Sequence, residues 1–169
     1  MRLSLTEHPE AAEATGPNRV VHELDDGRAL VWALGDEAPA GALLSAPVAL
    51  DDATEWLMRC DRVDFEPGGV APRHRHRGGG IRCLLRGRLE VTVADGAPHV
   101  VRPGECWFES GREPVLATTA ADEPSAFVRV MLLPVEWAGQ RTIKYVDPAD
   151  ADKPKTQRAT IFLEQPVRR

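Results

Sequence analysis

His74 and His76 stand one residue apart within G-G-V-A-P-R-H-R-H-R-G-G-G-I-R-C-L-L-R-G, residues 68–87. On a β-strand, positions i and i+2 project from the same side. Two imidazoles on one face can therefore chelate a single divalent ion. The same pair, set among Arg73, Arg75 and Arg77, also reads as a solvated, positively charged turn. Alternation turns those arginines away from the histidines, toward solvent or a subunit partner. Cys60, Cys83 and Cys106 recur every 23 residues without a C-x-x-C pairing. They read as small apolar core residues, and as zinc ligands only if they converge with histidines. His99 has the parity of Val101 and lines a barrel or sits partly buried, while His8 and His22 carry no motif. Trp32, Trp56, Trp107 and Trp137 supply core or pocket wall, each indole N–H needing an acceptor. No Gly-rich phosphate loop and no G-x-S-x-G nucleophile elbow occurs.

The elements that must position these groups are short strands. A chain of 169 residues is one domain of ordinary size. Fourteen glycines and fourteen prolines, scattered rather than clustered, give the turn density of a many-stranded fold. Residues 1–18 read as a weakly structured lead-in. Residues 20–34 alternate around Asp26-Gly27, a hairpin signal. Residues 38–47 read as an Ala/Gly/Pro connection. Strands are predicted over 56–65, 81–85, 89–93, 99–102, 105–109 and 127–133. Arg86-Gly87-Arg88 and Asp95-Gly96 are the turns between them. A short helix is expected near 149–153, and T-I-F-L-E-Q-P-V near the C-terminus reads as a last strand. Strands at this spacing imply an all-β sandwich or barrel.

Charge and hydropathy narrow the partners. A net charge of −5 argues against non-specific nucleic-acid binding. No apolar run approaches the roughly 20 residues that span a bilayer. The N-terminal M-R-L-S-L-T-E-H-P-E is too polar for a signal peptide. An odd number of cysteines without a secretory signal points to reduced thiols in a cytoplasm.

The frame around the histidines, Gly68, five residues, His74-x-His76, three residues, Gly80, six residues, Gly87, resembles the first motif of the cupin superfamily. The resemblance runs from about Trp56 to Leu133. It implies an antiparallel β-barrel or double-stranded jelly roll, spanning residues 19–145 and followed by a tail with a terminal strand over 146–169. The family has a glutamate ligand where this chain has Gly80. Arg102-Pro103-Gly104-Glu105 resembles the opening of the second motif. Aligned by Gly104 the family's third histidine falls on Val115, and aligned by Gly111 it falls on Pro114. Neither supplies a ligand. The carboxylates nearest the lost histidine are Glu109 and Glu113, candidates for ligand or catalytic base.

In the family motif Gly80, Arg82 and Leu84 face the interior. Arg82 there either holds an anionic substrate group or pairs with an internal acid such as Asp61 or Asp64. Trp107 is expected at the substrate. The resemblance thus implies a metal site of His74, His76 and Glu109 for Fe, Mn, Ni or Zn, serving dioxygenase-type oxidoreductase or isomerase/lyase chemistry. The alternative is a metal-free cupin that binds a small ligand, with the histidines as hydrogen-bonders. A homodimer is expected because Ile81, Cys83 and Leu85 would leave an apolar outer face, which the last strand of a partner could cover.

Overall fold

The structure, a computed structural model, describes residues 1–10 and 16–168. It is built of three antiparallel layers. The first sheet joins β1 (Arg2–His8), β2 (Arg19–Glu23), β3 (Ala29–Gly35) and β4 (Leu44–Pro47) in the order β2-β3-β1-β4. The middle sheet contains β5 (Trp56–Phe65), β7 (Gly80–Arg86), β10 (Cys106–Glu109), β12 (Ser125–Pro134) and β14 (Gln157–Pro166), ordered β10-β7-β12-β5-β14. The third sheet contains β6 (Val70–Arg75), β8 (Leu89–Val93), β9 (His99–Val101), β11 (Val115–Thr119) and β13 (Lys144–Tyr145), ordered β13-β6-β11-β8-β9. Middle and third sheets face each other as a jelly roll, and the first sheet backs the middle one.

The hydropathy of β12 follows from this layering. S-A-F-V-R-V-M-L-L is buried at every position because a strand covered on both faces has no solvent side. Its even-numbered residues Val128, Val130 and Leu132 join Cys60, Ile81 and Cys83 against Leu3, Leu5 and Trp32 of the first sheet. Its Phe127 joins Val63, Phe65, Leu84, Leu89 and Val115 inside the barrel. The Trp32 indole donates to Ile81 O at 3.1 Å, locking the two layers together.

The hairpin turns stand where Asp26-Gly27 and Arg86-Gly87 indicated. Gly87 takes φ +75°, and a Cβ there would lie 2.5 Å from Pro124 O, so this turn admits only glycine. The expected helix near 149–153 is a single 3₁₀ turn, Pro148–Ala151, capped by the Asp147 side chain on Ala149 N.

Several expectations are corrected. Residues 2–8 of the supposed lead-in form β1, whose Leu3 and Leu5 are wholly buried; residues 11–15 lie outside the described residues. The 38–47 connection contains β4. β14 is no appendage, since it pairs with β5 of its own chain from Gln157 to Pro166. The apolar face of Ile81, Cys83 and Leu85 is covered by the first sheet of the same chain rather than by a partner. Alternation identifies that face as needing cover; of the covering strands, β2 and β3 are the hairpin expected around Asp26-Gly27, whereas β1 and β4 lie in segments read as irregular.

Candidate functional site

Between the middle and third sheets lies a cavity of about 440 Å³. Its walls are apolar, with Val63, Phe65, Leu89, Val115, Ala117 and Phe127 among the lining residues. Its polar end carries His74, His76, Asp61, Glu109 and Arg129. Residues 139–143 and the start of β14 complete the rim.

β6 delivers His74 by its register, opposite Val115 on β11 and Tyr145 on β13. His76 follows just past the strand end on the same side, and the two Nε2 atoms lie 3.2 Å apart. Arg73 is partly exposed and Arg75 and Arg77 are exposed, as alternation required. Both histidines are buried and line the cavity. His74 Nδ1 lies 2.7 Å from Pro72 O, an atom that only accepts, so Nδ1 carries the proton and Nε2 the lone pair. His76 Nε2–H then donates to His74, and its Nδ1 accepts from Thr142 Oγ1 at 3.2 Å. Burial holds both imidazoles below the usual histidine range, and for His76 the guanidiniums of Arg129 and Arg82 push further the same way.

Gly80 explains where the carboxylate went. A Cβ at Gly80 would lie 2.2 Å from Val130 O and 2.9 Å from Met131 Cα, so β7 approaches β12 too closely for any side chain there. Directly across the ladder, Gly80 pairs with Glu109 of β10. Glu109 is 7% exposed and its Oε2 lies 3.6 Å from His76 Nε2. The carboxylate is already engaged: Trp107 Nε1–H donates to Oε1 at 2.8 Å, and Arg82 Nη2 stands 2.7 Å from Oε2. That contact is an ion pair whose angle is too poor for a hydrogen bond, which leaves Arg82 Nη2 and Glu109 Oε2 without one.

Arg82 is wholly buried behind the carboxylate, donating from Nη1 to Gly80 O at 2.5 Å. It does not line the cavity, so its expected direct contact with substrate is corrected to support of Glu109. Nor does it pair with Asp61 or Asp64: Asp61 is held by Arg129, and Asp64 by Arg62 and Arg86. Glu113 is corrected outright. It is exposed, accepts from the Ser110 hydroxyl in the turn after β10, and does not line the cavity that holds the histidines. Val115, which the Gly104 alignment assigned to the missing histidine, does line the cavity beside His74, whereas Pro114 does not. His99 is exposed.

Sequence reasoning missed Arg129 and Thr142. Arg129 binds Asp61 through Nε at 2.6 Å and Nη2 at 3.2 Å, and its Nη1 lies 3.3 Å from His76 Nε2. That Nη1 has no other partner among the described residues, and Arg129 lines the cavity. A charged residue inside an apolar strand was the available signal, because such a residue must be paired or functional.

The two Nε2 atoms alone are spaced to share an ion, but a site needs at least a third ligand. Glu109 is occupied by Arg82 and Trp107. Among the described residues no group of three His, Cys, Asp or Glu side chains is arranged to hold one. The positive potential of Arg129 and Arg82 that resists a proton on His76 would resist a dication more strongly. The donor set does not fit.

The sequence matches the family described as Cupin domain over residues 61–131. No curated protein matches it. Solved structures with similar folds include the polyketide cyclase RemF from Streptomyces resistomycificus, at 22% identity and TM-score 0.44 over 57% of this chain and 64% of that one. The DMSP lyase DddQ from Ruegeria pomeroyi DSS-3 aligns at 22% identity and TM-score 0.47 over 54% of this chain and 44% of that one. A cupin-2 domain protein from Rhodospirillum rubrum aligns at 18% identity and TM-score 0.43, over 62% and 76%. The chain spans less than two thirds of the length of the first two. With its jelly roll, its His74-x-His76 motif at the end of β6 and the match over residues 61–131, this chain is similar to the cupin domain family across the barrel's central strands.

Proposed function

We propose that this cupin binds a small organic anion with an apolar body, and that it does so without a resident metal. The observation that carries the reading is Arg129, a buried guanidinium lining the cavity whose Nη1 has no partner among the described residues other than His76 Nε2, itself shared with His74. An anionic oxygen there would accept from Arg129 beside the His74–His76 pair, while Val63, Phe65, Leu89 and Phe127 hold the apolar part. The cavity lining holds Arg59, Arg129, Arg141, Lys155 and Arg158 against Asp61 and Glu109, and even with Arg59 held by Glu164 the balance is positive in a chain of net charge −5. That field attracts anions. Both imidazoles are held neutral near pH 7 and meet a ligand as hydrogen-bonding groups.

The test has two arms. Elemental analysis of the purified protein is expected to find no stoichiometric metal. Calorimetric titration with aliphatic and aromatic monocarboxylates is expected to find binders whose affinity falls at least tenfold in Arg129→Lys, a variant that keeps the charge facing Asp61 but loses the fork. Stoichiometric Fe, Mn, Ni or Zn, lost on His74→Ala/His76→Ala substitution, would overturn this reading in favour of metal-dependent oxidoreductase or isomerase/lyase chemistry.

A homodimer is part of the proposal, through a face other than Ile81 and Cys83. Ile161, Phe162 and Leu163 on the edge strand β14 are 41–50% exposed, and an apolar edge invites a second copy. Sedimentation at micromolar concentration is expected to show the dimer, and Ile161→Lys/Leu163→Lys to abolish it. Three free cysteines suit a cytoplasmic setting.

A further inference from the structure

Cys83 and Cys106 stand directly opposite each other across β7 and β10. The adjoining backbone bond runs from Leu84 N–H to Glu105 O at 3.0 Å, so 83–106 is a non-hydrogen-bonded position of the ladder. Facing Cα atoms at such positions are about 4.5 Å apart, which falls in the range of about 4.4–6.8 Å that a disulfide requires. No backbone movement is needed to join them. Cys83 is 3% exposed in the core against the first sheet, whereas Cys106 is half-buried on the strand at the sheet's edge. One sulfur is thus reachable and the other waits behind it. The facing Cys83 thiol holds Cys106 below the ordinary thiol range, while Cys83 itself lies above it, which makes Cys106 the better nucleophile. Cys60 lies on β5, which β12 separates from β7, and has neither exposure nor a facing thiol.

We propose that Cys83 and Cys106 form a reversible oxidation site for hydroperoxides. The Cys106 thiolate attacks the distal peroxide oxygen. The O–O bond breaks, and the leaving alkoxide or hydroxide takes up a proton, giving the Cys106 sulfenic acid and an alcohol or water. The Cys83 thiol then attacks the Cys106 sulfur and loses its proton while water departs, closing the disulfide. Two thiols lose two electrons and the peroxide gains them. The bond fixes β10, which carries Trp107 and Glu109, onto β7, which carries Arg82, so it stiffens the wall of the cavity from outside. This inference stands apart from the anion-binding reading and survives its failure.

The test treats the reduced full-length protein with equimolar hydrogen peroxide, then counts thiols after denaturation. Titratable thiols are expected to fall from three to one. Tryptic mapping is expected to join the Cys83 and Cys106 peptides, and dithiothreitol to restore all three thiols. Cys60→Ser should leave the cross-link intact, and Cys106→Ser should abolish it. Retention of all three thiols would overturn the proposal, as would over-oxidation of Cys106 without a link, or a link that joins two chains.

Discussion

Glu109→Ala removes the carboxylate that, among the described residues, is in ion-pair contact with the wholly buried Arg82 guanidinium. Arg82 is 0% exposed and Glu109 7%, with 2.7 Å between Nη2 and Oε2. Burial already pulls Arg82 down to about 10, against the opposing pull of Glu109, so the arginine remains charged at neutral pH. Deleting one member of a buried pair costs about 3–5 kcal/mol, because the other charge is left uncompensated. The Trp107 N–H also loses its acceptor, which adds about 1–3 kcal/mol. The sum, about 4–8 kcal/mol, is comparable with the whole stability of a typical domain, about 5–15 kcal/mol. Urea unfolding followed by tryptophan fluorescence reads the loss directly. A Glu109→Leu/Arg82→Met double variant should be markedly more stable than Glu109→Ala, since neither charge then remains. If Glu109→Ala costs less than about 1 kcal/mol, or if the double variant is worse than the sum of the single ones, the pair is not desolvated as described.

Three further outcomes are expected. Burial and two guanidiniums hold His76 below the usual range, so the folded chain refuses a proton that the unfolded chain accepts near 6.5. Its contribution to stability is therefore present above about pH 6.5 and lost as pH falls below it, so the urea midpoint should drop between pH 7.5 and 5.5 and drop less in His76→Gln. Gly80→Glu restores the residue type that the family carries at this point, but its Cβ would meet Val130 O at 2.2 Å; a loss above about 3 kcal/mol, or failure to fold, should appear in the same assay. Arg59 is 2% exposed and clamps Glu164 at 2.6 Å, Gln140 O at 2.7 Å and Trp137 O, so Arg59→Ala should free the rim segment and speed tryptic cleavage after the exposed Arg141.

The punctuated strands were legible in the sequence because turns have local causes. Asp26-Gly27 and Arg86-Gly87 announce themselves by residue type alone. The R-L-S-L-T-E-H of β1 was not read as a strand, although Leu3 and Leu5 alternate, because two apolar positions among polar ones mean little until a facing sheet gives them something to bury. The histidine pair was readable from parity. The identity of Glu109 as Gly80's cross-strand neighbour was not, because it rests on the β7–β10 register, and Gly104 N and Glu105 O both bond to Leu84 where that register begins. Thr142 reaches His76 from a segment 66 residues further along the chain. Local pattern cannot see such a closure.

The middle sheet serves two cores at once, which makes the barrel and the N-terminal sheet thermodynamically inseparable. Opening either face of β12 wets Val128, Val130 and Leu132 or Phe127 and Arg129, so neither layer can melt while the other persists. Its amides should exchange with deuterium only through global unfolding. A fragment limited to residues 61–131 would cut β12 after Met131 and present Val128 and Val130 of its outer apolar row to water, and such a fragment is expected to aggregate rather than stand as a minimal barrel.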